Sequence, residues 1–338
     1  RSCAMMLLTG RVSSRNGLRA AASVALLSSP VACFAHRGFG NLVQPGEVLG
    51  ALPSGPSIKF LDCSWYLAPA GQPKPDAEAQ FRDCRVSGAA YFDIDAVADD
   101  ESDLPHMLPC EDQFSEACGS LGLSEDDTIV CYTAPGSFSA ARAWWMFKAF
   151  GHEHVHIMNG GLQAWKDAGG SVESGSPAAP PRATYRPQLQ SSLVKSWSEV
   201  LATSKRAQDG GNVKILDARG RPRFEGKAPE PRPGLESGHI PNSMCLPFQD
   251  LLEEGDVTRF KSTEELRSYF SAIGVTGQSE VTTTCGSGVT ACVISFALQL
   301  AFPERESIAS VYDGSWTEWG GRSDLPKETG SGGIGGSA

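Results

Sequence analysis

The sequence predicts an α/β protein of two tandem domains, each a mainly parallel sheet with helices on both faces. Three observations predict it. Short β-branched or apolar runs alternate with helix-periodic stretches along the chain. The same motifs recur in the same order in both halves. A Pro- and Ser-rich stretch, ESGSPAAPPRATYRPQLQ (173–190), lies between the halves and reads as an extended linker.

The elements follow in chain order. Residues 1–40 hold Arg1, Arg11, Arg15, Arg19 and Arg37, and the first acid of the chain is Glu47. This composition predicts a mitochondrial transit peptide. The apolar ASVALLSSPVACFA, ending in small residues, leaves a secretory or bipartite leader open, and a disordered native tail is the plain alternative. Cytoplasm and plastid are the alternative compartments. The first domain is expected over 41–172 and the second over 191–326, with a flexible Gly-rich tail over 327–338.

Within the domains the repeat pairs IKFLDCSWYL (58–67) with VKILDARGRPRF (213–224), and SGAAYFDID (87–95) with SGHIPNSMCLPFQDL (237–251). It also pairs LGLSEDDTIVCYTA (121–134) with IGVTGQSEVTTTCG (273–286), and VHIMNGGLQAWKDAGG (155–170) with ASVYDGSWTEWGGR (309–322). Helices are expected over 139–149, 161–168, 262–272 and 291–301. In this alignment Thr133 stands opposite Cys285, and Cys131 falls inside a strand.

The formal net charge of −10 is poorly suited to nucleic acid. No run of about eighteen apolar residues suggests a spanning helix. The ten cysteines are scattered, with neither C-x-x-C nor zinc spacing, and read mostly as buried thiols. His152, His154 and His156 share one strand face, but no acid or cysteine completes a metal site, so no metal is expected.

Cys285 is different. Val281–Thr284 read as a buried strand and 291–300 as a helix stopped by Pro303, so the cysteine sits in the turn between them. The turn's N–H groups and the helix N-terminus favour an anion there, and the thiolate is the nucleophilic form. Gly286 and Gly288 leave room for a ligand.

Tandem Leu-Asp strands, GHIP, the strand–Cys–loop–helix unit and YDGSWTEW together resemble the rhodanese superfamily of sulfurtransferases, over about residues 55–325. SWYL, HMLP, ARAWWMFKAFGH and NGGLQAW strengthen the resemblance, and CGSGVTA (285–291) is similar to the loop of the branch that uses 3-mercaptopyruvate. The resemblance implies that Cys285 takes sulfur from 3-mercaptopyruvate as a persulfide and yields it to a thiol such as thioredoxin, to a small thiol or to cyanide, with no cofactor. It implies that Ser287, Gly286, Gly288, Val289 and Thr290 form the anion-holding loop, with Ser287 binding substrate or relaying a proton. Arg223 and Arg232 match the family's two carboxylate-binding arginines, nine positions apart. Trp65 and His106 fall in motifs expected to line the cleft between the domains. Where many members carry a histidine in HIPGA, this chain has RVSGA (85–89), so Arg85 either supplies positive charge or is a surface residue; arginine does not exchange protons at neutral pH.

Three other readings compete. A thiosulfate sulfurtransferase would usually carry cations just after the cysteine. A phosphatase or arsenate reductase needs arginine six positions after the cysteine, where this chain has Ala291. A non-catalytic binding module usually lacks the cysteine altogether.

Overall fold

The structure, a computed structural model, describes residues 39–53, 57–68, 73–209 and 212–332. Almost all of the expected leader lies outside the described residues. Each half folds around one five-stranded parallel sheet. In the first half the strand order is Leu42–Val43, Val155–Met158, Thr128–Tyr132, Ile58–Asp62, Ala90–Tyr91. In the second it is Val194–Lys195, Ser310–Tyr312, Glu280–Thr284, Val213–Asp217, Ser243–Cys245. The two orders are the same. Parallel strands covered on both faces read as near-continuous apolar runs, as TIVCY and VKILD do.

The registers also coincide. Asp62 pairs with Tyr132, and Asp217 pairs with Thr284, the last residues of their strands. The next residues are Thr133 and Cys285. The carbonyl of Thr133 accepts the Leu162 N–H at 3.0 Å, and that of Cys285 accepts the Trp316 N–H at 3.0 Å. The alignment of Thr133 with Cys285 is therefore a structural equivalence.

Helices occur at Ala140–Ala149, Gly161–Asp167, Thr263–Ala272 and Ala291–Ala301, within a residue of the expected limits. Ala140–Ala149 and Ala291–Ala301 are buried almost all round. A helix with no polar face needs cover on both sides. Here each helix has its own sheet on one side and the opposite half on the other, with the Trp144 and Phe296 rings 4.8 Å apart at the seam.

Three expectations need correction. The linker is packed: Gln188 and Gln190 N–H groups bond to Phe150 and Ala149 carbonyls, and the Tyr185 ring is buried against Phe114 and His152. Glu173, placed in the linker, pairs in a small antiparallel ladder with Arg85. The stretch 327–332, expected to be part of a flexible tail, is tied down. Glu328 and His239 exchange backbone hydrogen bonds at 2.8 and 3.0 Å, and the Gly330 N–H reaches the Glu225 carbonyl. Residues 333–338 lie outside the described residues. An antiparallel hairpin of Leu252–Glu253 and Asp256–Phe260 was not foreseen; its Thr258 carbonyl accepts the Gly160 N–H of the first half.

The halves differ at one buried carboxylate. Asp217 is neutralised by Arg219, 2.7 Å away. Its counterpart Asp62 has no cation beside it; Ser64 donates to it through its N–H at 3.0 Å and its hydroxyl at 2.5 Å. Burial pushes the Asp62 carboxyl up to about 6, against the pull of Ser64 and Tyr132. The folded state therefore prefers the neutral acid, and this stabilising effect is present below the ordinary carboxylate range and lost as pH rises through about 6. Asp62→Asn should stabilise the protein by on the order of 2–3 kcal/mol at pH 7.5 and by much less at pH 4. Urea unfolding at the two pH values checks this; an effect of equal size at both would dismiss it.

Candidate active site

The site is built where the central strand of the second sheet ends. Cys285 follows Thr284 directly and is 2% exposed. The loop bends back into the helix Ala291–Ala301, and Gly288, at φ +79, makes the reversal. An added Cβ at Gly288 would lie 2.9 Å from Arg142 Nη1 and from Asp313 Oδ1, so glycine is required there for space as well as for conformation.

The loop is held from inside by Ser315, which no reading of the sequence singled out. Its hydroxyl accepts the N–H of Cys285 at 3.2 Å and of Gly288 at 3.1 Å, and donates to the Tyr312 carbonyl at 2.8 Å. Ser315 is left-handed, at φ 49; its first-half counterpart is Gly161, at φ 52. A non-glycine residue at such an angle is strained, and the three hydrogen bonds hold it. Within the expected anion-holding loop, the Gly288 N–H is thus spent on Ser315. The N–H groups of Gly286, Ser287, Val289 and Thr290 have no protein acceptor among the described residues.

Above the loop lies a cavity of about 330 Å³. It brings together Cys285, Gly286, Ser287, Val289 and Thr290 with Arg223, Arg232 and Trp65, while Leu67, Phe138 and Phe248 supply an apolar wall. Both halves of the chain contribute. It opens at the carboxyl ends of the strands, where ligands of open α/β sheets bind. A larger cavity of about 470 Å³ lies at the opposite ends, around Lys195, Glu280 and Arg305, and is lined by no cysteine.

The two arginines converge on Gly286. A Cβ there would stand 3.1 Å from Arg223 Nη2 and 4.0 Å from Arg232 Nη1. Arg223 is oriented by the buried Glu230, 2.5 Å away, which also binds Arg219 at 2.9 Å. Arg232 makes no ion pair or side-chain hydrogen bond among the described residues. Burial pulls its guanidinium below the ordinary value, opposed by the nearby Cys285 sulfur. One arginine is thus aimed by the protein, and the other is left free beside the sulfur.

On the first-half wall, His106 packs edge-on against Trp65, with centroids 5.0 Å apart, and its Nδ1 stands 2.8 Å from Asp95 Oδ1. Burial holds the His106 imidazole below its ordinary value despite Asp95, so it is neutral at pH 7. Although burial alone would raise Asp95, His106, Lys74 and the Trp65 indole hold its carboxyl below the usual range. Both His106 ring nitrogens are buried: Nδ1 meets Asp95 at ion-pair distance without hydrogen-bond geometry, and Nε2 has no partner among the described residues. Asp95 went unrecognised in the sequence; its only signal was a place in a repeated motif.

Arg85 is not brought to the loop. It is buried, ion-paired with Glu173 at 2.9 Å, and donates to the carbonyls of Phe81 and Gly175. It is neither a surface charge nor a wall of the cavity; it fastens the start of the linker to the first half. His152 bonds to the Asp127 carbonyl and lies against Tyr185, as packing requires. Among the described residues no cluster of His, Cys, Asp or Glu is placed to hold a metal, and no helix is long and apolar enough to cross a membrane.

The rhodanese-like domain family matches the chain twice, over residues 47–168 and 201–322. The chain is 37% identical over 295 residues to human 3-mercaptopyruvate sulfurtransferase, covering 87% of this chain and 94% of that protein. It is 36% identical over 296 residues to the Arabidopsis thaliana mitochondrial thiosulfate/3-mercaptopyruvate sulfurtransferase 1, covering 81% and 74%. Among solved structures it is similar to SseA of Escherichia coli, described as a 3-mercaptopyruvate sulfotransferase with the rhodanese fold. The TM-score is 0.69 and the identity 32%, with 82% of this chain and 99% of that one covered.

Ser315→Gly tests the internal support of the loop. Glycine relaxes the backbone at φ 49 but strands two buried N–H groups, so a net loss of about 1–3 kcal/mol is expected. Unchanged or higher stability in urea would show that the two amides find other acceptors.

Proposed function

The chain belongs to the rhodanese family, with two rhodanese-like domains in tandem, and we propose that it transfers the sulfur of 3-mercaptopyruvate through Cys285 to a thiol acceptor. The observation that carries the donor is the pair of guanidiniums beside Gly286, over a loop without a charged side chain. A keto acid offers two adjacent acceptors, its carboxylate and its carbonyl oxygen, and arginine forks suit that face. Thiosulfate is a compact dianion that would be better served by cations within the loop.

The Cys285 thiolate attacks the donor sulfur. The carbon–sulfur bond breaks, and its electrons pass into the adjacent carbonyl to give the enolate of pyruvate. Arg223 and Arg232 face the charge that develops on the keto oxygen. His106, through Nε2, or the Ser287 hydroxyl takes up the S–H proton of the donor as the persulfide becomes an anion and passes it to the methylene carbon, and pyruvate leaves. The persulfide anion on Cys285 rests against the free N–H groups of the loop. An incoming thiolate then attacks the outer sulfur, and the Cys285 thiolate departs. Leu67, Trp65, Phe138 and Phe248 give the cavity an apolar rim against which a small thiol or a protein such as thioredoxin docks.

Mass spectrometry after donor alone should find one added sulfur on the Cys285 peptide, and Cys285→Ser should abolish it together with turnover. His106→Gln should still load sulfur but turn over more slowly. Arg223→Ala and Arg232→Ala should each lower kcat/KM for 3-mercaptopyruvate by about one to two orders of magnitude. Sulfur on another cysteine, normal kinetics in both arginine variants, or a wild-type preference for thiosulfate would reject this assignment in favour of the thiosulfate reading.

We place the protein in the mitochondrion. The acid-free, arginine-bearing first forty residues support this, as does the mitochondrial Arabidopsis relative. A fusion of these residues to a fluorescent protein should enter mitochondria; cytosolic or plastid fluorescence would overturn the placement.

A further inference from the structure

Arg142 is a first-half residue whose charge is buried under the second half's loop, 1% exposed. Its Nη1 lies 2.5 Å from Asp313 Oδ1 and 3.4 Å from the Gly288 carbonyl. Its Nη2 donates to the His106 carbonyl. Its plane lies over Trp145, 4.6 Å from the ring centroid. Asp313 completes the arrangement by accepting the Leu108 N–H at 2.6 Å. The Cys292 thiol also donates to the Gly288 carbonyl, at 3.1 Å.

The two carbonyls belong to residues in the left-handed region, His106 at φ 62 and Gly288 at φ 79. One planar cation therefore pins two unusual backbone turns, one in each half. A trans peptide points its C=O and its N–H in opposite directions. With the Gly288 oxygen turned toward Arg142, the Val289 N–H points away from it, and that N–H has no protein acceptor. The guanidinium thus sets the direction of one anion-holding donor in the Cys285 loop and, through the same fork, the backbone that carries His106.

We propose that Arg142 is a positioning residue for sulfur transfer, through which the first half aligns both the Cys285 loop and His106. The inference rests on the reading of Cys285 as nucleophile and His106 as carrier of the donor's proton. It assigns a role to a half that has threonine where the nucleophile would be.

Two variants test it. Arg142→Lys keeps a buried cation beside Asp313 but has no planar fork to hold two carbonyls. Arg142→Met/Asp313→Asn removes both charges together, so neither is left buried alone. In each, kcat for 3-mercaptopyruvate should fall about ten- to a hundredfold while KM changes less than about threefold, because Arg223 and Arg232 are untouched. Alkylation of Cys285 by iodoacetamide at pH 7 should slow about tenfold, because the loop donors are misaligned. Mere glue between the halves would lower the melting temperature and move neither readout. A folded variant with wild-type kcat and alkylation rate, a loss confined to KM, or failure of both variants to fold would overturn the proposal. The alkylation rate needs no sulfur donor, so it reports on Arg142 even if the wild type rejects 3-mercaptopyruvate.

Discussion

The structure depends on one packing constraint. The helices Ala140–Ala149 and Ala291–Ala301 are buried almost all round, so neither half can cover its own helix alone. Each needs the other as its outer layer, and the resulting core runs without a break from one sheet to the other. Both helices begin directly after the loops that leave the central strands. Packing them together therefore brings the two loop regions face to face, and the cavity over Cys285 is what remains between them.

Duplication and divergence are legible within that frame. Thr133 replaces the cysteine, Gly161 replaces the serine that props the loop, and Ser64 replaces the arginine that neutralises the strand-end aspartate. The first half has the same backbone without the side chains to which the proposed chemistry is assigned. What it supplies instead comes from outside the loop: Trp65, His106 with Asp95, and the buried Arg142.

The sequence disclosed what is local. Strand and helix periods placed the repeated elements, and the setting of Cys285 between a β-branched strand and an apolar helix marked it as the candidate nucleophile before any fold was known. Arg223 and Arg232 were legible only through a family motif, because isolated arginines are ordinary surface residues. Ser315, Glu230, Arg142 and Asp95 were not legible. Their roles arise from partners distant in the chain, such as Asp313 beside Arg142, and periodicity carries no trace of such pairs. Composition misled at 327–332, where a Gly- and Ser-containing stretch looked free and is held by backbone bonds, and at Arg85, whose partner Glu173 was read as linker.

That C-terminal stretch bears on how the protein is made. Glu328 pairs with His239, whose ring stacks on Phe224 at 3.9 Å, and Gly330 bonds to Glu225. These contacts close over the short helical turn that carries Arg223. A ribosome delivers residue 328 long after residue 223, so the turn bearing the proposed substrate arginine is completed only by residues that emerge much later. The nascent protein holds both sheets' central strands before it holds a finished binding site, and synthesis itself orders folding ahead of competence.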